Sequence, residues 1–177
     1  MINFNETFYM KIQRLLLPFL AVFFLHSSAQ SNTDQAKESS HQKLKRGIDS
    51  KQFHFLATSA TSSRGKIAQL TGAYFVFMGG DSLTVALPFF GTSNTSAGHY
   101  GASGEDAGIN FHTHKFSYKA DTTKKGGWDI TIQPEGQSSA SKISLSITST
   151  GTCRTIIYSS ARSTMSFNGN VLSNFKD

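Results

Sequence analysis

Trp128-Asp129-Ile130-Thr131-Ile132-Gln133-Pro134, followed shortly by Ile143-Ser144-Leu145-Ser146-Ile147, decides the fold class. In both segments the apolar residues occupy every second position. A β-strand turns successive side chains to opposite faces, so this period makes one apolar face and one face rich in Ser and Thr. On a helix the same residues would scatter around the whole surface. Working outward, the alternation recurs in Phe53 and Phe55, and again in Leu83, Val85 and Leu87. Strands with one wet face belong to antiparallel sheets.

Two stretches depart from strict alternation. Tyr74-Phe75-Val76-Phe77-Met78 is apolar on both faces, which predicts a strand covered on both sides or lining a cavity. Arg154 to Tyr158 is a milder case. Turn signals separate the strands: Gly79-Gly80-Asp81, Gly126-Gly127, Pro134-Glu135-Gly136 and Asn168-Gly169. No helical period lies between them. The chain therefore predicts an all-β domain over residues 52–172, a single antiparallel β-sandwich or flattened barrel of about eight strands, with a tail at 173–177.

Residues 30–51 form a polar leader. Leu44 and Ile48 are i,i+4 neighbours and predict a short helix around Asp34 to Ile48, which Ser39, Ser40 and Gly47 weaken; a flexible leader is the alternative. Further upstream, Lys11 and Arg14 precede the apolar run Leu15–Leu25 and then Ser27-Ser28-Ala29. This order of basic, apolar and small residues predicts a signal peptide over 1–29, cleaved after Ala29, with Met10 an alternative start to Met1. A periplasmic or secreted protein is expected. The run falls short of the roughly 20 apolar residues of a transmembrane helix. Gln30, where a lipobox would need Cys, predicts release without a lipid anchor.

The formal net charge is +6, but the basic residues are scattered, and an exported chain without an RNA-recognition signature is not expected to bind nucleic acid. Cys153 is the only cysteine, so no intramolecular disulfide can form. Its place in a strand predicts a small buried side chain.

Chemistry-bearing residues are few. His112 and His114, two apart on a strand, project from one face and can share a zinc or copper ion, with His99, Glu105 or Asp106 to complete the set. An unbroken strand aligns them with Phe116 and Tyr118, pointing inward; a bulge near Lys115 turns them outward. Gly98, Gly101, Gly104 and Gly108 have no following Lys-Ser/Thr pair, so a phosphate loop is not expected. No serine sits in a Gly-x-Ser-x-Gly elbow. The expectation is a non-enzymatic protein without a cofactor. The 15 Phe and 5 Tyr of the chain suggest either a dense core or an aromatic-lined cavity. Tyr74, Val76, Phe89, Phe90 and Trp128 are the candidate wall for a small apolar ligand, with Gly91–Gly108 as lid. The expected function is a periplasmic binding or envelope-associated module. Alternatives are a protein-protein or self-assembly module using a sheet edge, and a metal-dependent enzyme around His112 and His114.

Several patterns, in order, resemble an exported Bacteroidetes family, domain of unknown function 4251. They are Phe53-His54-Phe55-Leu56-Ala57-Thr58-Ser59-Ala60, Gln69-Leu70, Tyr74-Phe75-Val76 and Gly80-Asp81-Ser82. Leu87-Pro88-Phe89-Phe90-Gly91, the most specific, comes next, then Gly108-Ile109-Asn110-Phe111, Trp128–Ile132, Ser159–Arg162 and Ser166–Gly169. Thr61 stands where such proteins often have Pro, and Phe89 where Tyr is more usual. The resemblance implies export and an antiparallel β domain, and supplies no catalytic or ligand residues. Asp81 and Arg162 are its matched charged positions, implied to serve ion pairs or turns.

Overall fold

The computed structural model describes residues 40–91 and 108–173. A short helix, α1 (40–49), leads into β1 (Gln52–Ser62). There follow β2 (Ile67–Gln69), β3 (Phe75–Gly79), β4 (Leu83–Pro88), β5 (Gly108–Thr113) and β6 (Phe116–Thr122). Next come β7 (Trp128–Pro134), β8 (Lys142–Ile147), β9 (Thr152–Tyr158) and β10 (Met165–Ser173). Among the described residues no helix is long and apolar enough to cross a membrane.

Every ladder is antiparallel, and the strand order is β5-β4-β3-β1-β10-β9-β8-β7-β6, with β2 pairing β1 from outside this path. Alternating directions along nine strands make β5 and β6, at its two ends, run the same way. Only His114 and Lys115 separate them, too few residues for a return. The two are therefore halves of one continuous strand, the first half on β4 and the second on β7. This shared strand joins the two ends of the sheet. The result is a nearly closed antiparallel barrel.

Alternation puts the core inside. Phe53, Phe55, Met78, Leu83, Ile132 and Phe167 are fully buried. Each such side chain contributes about 1.5–3 kcal/mol, and with a single cysteine the fold rests on this burial. Tyr74–Met78 follows the same rule: Val76 and Met78 point in, while Phe77 stands 37% exposed on the outer wall. It is thus wet on one face. Gly80 (φ 74°) and Gly126 (φ 75°) sit at the expected turns. Asn168-Gly169 does not turn. It lies within β10, opposite the register shift between Ala57 and Ser59. A Cβ on Gly169 would overlap the Leu56 carbonyl oxygen, so glycine there marks a close backbone approach.

Helix α1 is part of the core. Leu44 and Ile48 are buried with the strand residues, and the Tyr118 hydroxyl donates to the Ile48 carbonyl at 3.0 Å. Gly47, a weak helix former, allows the docking: a Cβ there would lie 2.9 Å from the Gln52 carbonyl oxygen and from Ser173 Oγ. The helix stops at Lys51, whose φ of 57° is the left-handed conformation that ends many helices. The Lys51 carbonyl accepts from the Gly80 amide at 2.7 Å, tying this corner to the β3–β4 turn.

Candidate functional site

The two ends of the barrel differ. At one end α1 lies over the beginnings of β1 and β7 and the end of β10. His41 stacks on Trp128 with ring centroids 5.1 Å apart, and its Nδ1 donates to the Ser149 carbonyl at 3.2 Å. Trp128 is buried there, its Nε1–H without a hydrogen-bond partner among the described residues. The opposite end collects the start of β3 and the end of β4. Leu70, Tyr74, Phe89 and Phe90 are half-buried against the core at this mouth. The Ala57 amide donates to the Tyr74 carbonyl at 2.9 Å, which fixes where that ring leaves the sheet.

Arg162 holds the mouth together. Its guanidinium lies 5.0 Å from the Phe89 ring centroid and donates through Nη1 to the Gly108 carbonyl at 2.6 Å. One cation thereby grips both flanks of the segment 92–107. The sequence flagged Arg162 as a charged position, but its two partners, just past the end of β4 and at the start of β5, have no signature near it in the chain.

The five residues expected to line one wall are thus divided. Tyr74, Phe89 and Phe90 meet at the mouth, and Val76 lies fully buried in the barrel below. Trp128 belongs to the other end, beneath α1, because β7 begins where β3 finishes. The expected lid falls largely on residues 92–107, outside the described residues.

His112 and His114 are both exposed and point outward. The pattern switches at Lys115: Phe111 and Thr113 face in before it, Phe116 and Tyr118 after it. This extra residue is the bulge that the outward alternative required. Thr113 Oγ1 accepts from the Lys115 amide at 3.0 Å, and the Glu135 amide donates to the Lys115 carbonyl at 2.9 Å. The two imidazoles approach edge to face, with Nε2 atoms 3.3 Å apart. Asp81, in the β3–β4 turn, meets His114 through its carbonyl oxygen, 3.2 Å from Nδ1. His99, Glu105 and Asp106 lie outside the described residues, among which no group of three or more His, Cys, Asp or Glu is placed to hold a metal.

Cys153 is buried beside Thr155, with Sγ 3.5 Å from Oγ1. Burial pushes its thiol up to about 12, and the Thr155 hydrogen bond offsets this only in part. It carries almost no thiolate at neutral pH, which suits packing and not nucleophilic attack.

A crystal structure of a DUF4251 family protein from Bacteroides eggerthii DSM 20697 shares this fold, with a TM-score of 0.54 and 19% identity. The match covers 76% of this chain and 88% of that one. No curated protein matches the chain. The family model described as "Domain of unknown function (DUF4251)" matches residues 35–171, from ahead of α1 into β10, and the chain belongs to that family.

Proposed function

We propose that this domain is a non-enzymatic binding module of the cell envelope, exported by a cleaved signal peptide, that takes a small molecule with an apolar body at the mouth opposite α1. The observation that carries this reading is the asymmetry of the barrel. One end is covered by a helix that contributes Leu44 and Ile48 to the core, and the other is rimmed by half-buried Leu70, Tyr74, Phe89 and Phe90. Ligand sites of barrels occupy such mouths, where apolar walls meet a few polar groups. The buried thiol of Cys153 supports a non-catalytic role.

The test is native mass spectrometry of the protein purified from its own periplasm, alongside Phe90→Glu. Extra mass that leaves on denaturation, and is depleted in the variant, supports the reading. A bare monomer in both overturns it.

A second reading, association with a protein partner, draws on the outer wall. Leu172 and Phe77 are both partners of His54 in register, and Leu56 follows on the same face of β1. All three apolar side chains are exposed. Closure of the barrel leaves less sheet edge than a sandwich would, so this apolar face is the better-supported surface for association. Concentration-dependent oligomers that Phe77→Ser abolishes would favour it.

A further inference from the structure

We infer that His112 and His114 form a two-imidazole binding site for a divalent transition-metal ion, Cu²⁺ or Zn²⁺, on the outer wall of the barrel. Strand alternation sets His112 and His114 on one face, the bulge at Lys115 turns that face outward, and their Nε2 atoms converge to 3.3 Å. The other nitrogen of each ring is already engaged. His114 Nδ1 lies 3.2 Å from the Asp81 carbonyl oxygen, which can only accept, so this nitrogen carries the proton. In the neutral ring, Nε2 is then the lone-pair nitrogen. His112 Nδ1 lies 2.8 Å from Thr84 Oγ1, a hydroxyl able to donate or accept; when it accepts, His112 Nε2 is also a lone-pair nitrogen. Both lone pairs then face one point.

Without a metal, the Thr84 hydroxyl can donate to His112 Nδ1 and His112 Nε2–H to His114 Nε2, and a shared ion displaces that one proton. With metal–nitrogen bonds of about 2.0–2.1 Å and a tetrahedral angle, two imidazole nitrogens stand roughly 3.3–3.4 Å apart. The observed distance is that of a pair already spaced for a shared ion. The Asp81 carboxylate, 3.8 Å from His114 Nδ1, lies behind the ligand ring, where carboxylates commonly raise the basicity of metal-binding histidines. Imidazole pairs prefer copper over zinc among divalent ions, and neither calcium nor magnesium competes for nitrogen ligands. Among the described residues the pair supplies two ligands, and water can take further positions on the ion.

The probe is Zn²⁺ alone, titrated into the full protein after metal stripping, with imidazole nitrogen resonances as readout. At one equivalent the Nε2 resonances of His112 and His114 shift together. His112→Ala and His114→Ala, both exposed positions, each weaken binding at least tenfold. Thr84→Val, which keeps the branched side chain but removes the hydroxyl, weakens it about 10–100-fold with stoichiometry unchanged. Nε2 resonances that stay still at millimolar Zn²⁺ would overturn the inference, as would equal affinity in His112→Ala.

Discussion

Replacing Ile48 by Ala tests whether α1 is a structural member of the barrel. Ile48 is fully buried, and its position in the core is set by the helix alone. The substitution removes three carbon groups, worth about 0.8 kcal/mol each, or about 2.4 kcal/mol of lost burial. A residual cavity of roughly 70 Å³ adds about 1.7 kcal/mol at ~24 cal/mol per Å³. The expected loss is about 4 kcal/mol, a large part of the 5–15 kcal/mol typical of a domain. Urea denaturation followed by Trp128 fluorescence measures it, because that ring lies beneath the same helix against His41. The slope of stability with urea should stay unchanged, and the midpoint should fall. Lys45→Ala, on the exposed face of α1, serves as control and should shift stability by less than about 0.5 kcal/mol. A loss below about 1 kcal/mol for Ile48→Ala would refute the docking argument and restore the flexible leader.

Two further outcomes follow from the core. Gly169→Ala sets a methyl group against the Leu56 carbonyl oxygen and the Phe55 ring, so it should cost about 3 kcal/mol or more by thermal denaturation; a neutral result would deny the close approach of β1 and β10. Cys153, with its thiol raised by burial to about 12, contributes stability that is intact below about pH 9 and lost as pH rises toward 12, since the unfolded chain releases its proton first. Stability should therefore fall by up to ~1.4 kcal/mol per pH unit across that window, and Cys153→Ala should flatten the fall between pH 9 and 10. An unchanged slope in that variant would assign the alkaline loss elsewhere. Tyr118, raised by burial and then by Asp49, adds to the decline above about pH 10 in the same direction.

Period-two alternation by itself determined the strand content. Phe53 and Phe55, Leu83 to Leu87, Trp128 to Ile132 and Ile143 to Ile147 all turn their apolar residues inward, because side-chain direction in a strand is a local property of the backbone. Leu44 and Ile48 marked the helix by the same local logic. Asn168-Gly169 shows where that logic stops. A glycine in a turn and a glycine under a neighbouring strand look alike in sequence, and the distinction comes from Leu56, more than a hundred residues away. The imidazole pair shows it too: the sequence left two directions open for His112 and His114, and the bulge at Lys115 chose the outward one. Which aromatics share an end of the barrel likewise depended on strand order, so Trp128 parted from Tyr74, Phe89 and Phe90. Alternation of one strand is written in neighbouring residues. Register, closure and the sharing of a mouth are set by pairings between distant segments, and only the tertiary fold brings those together.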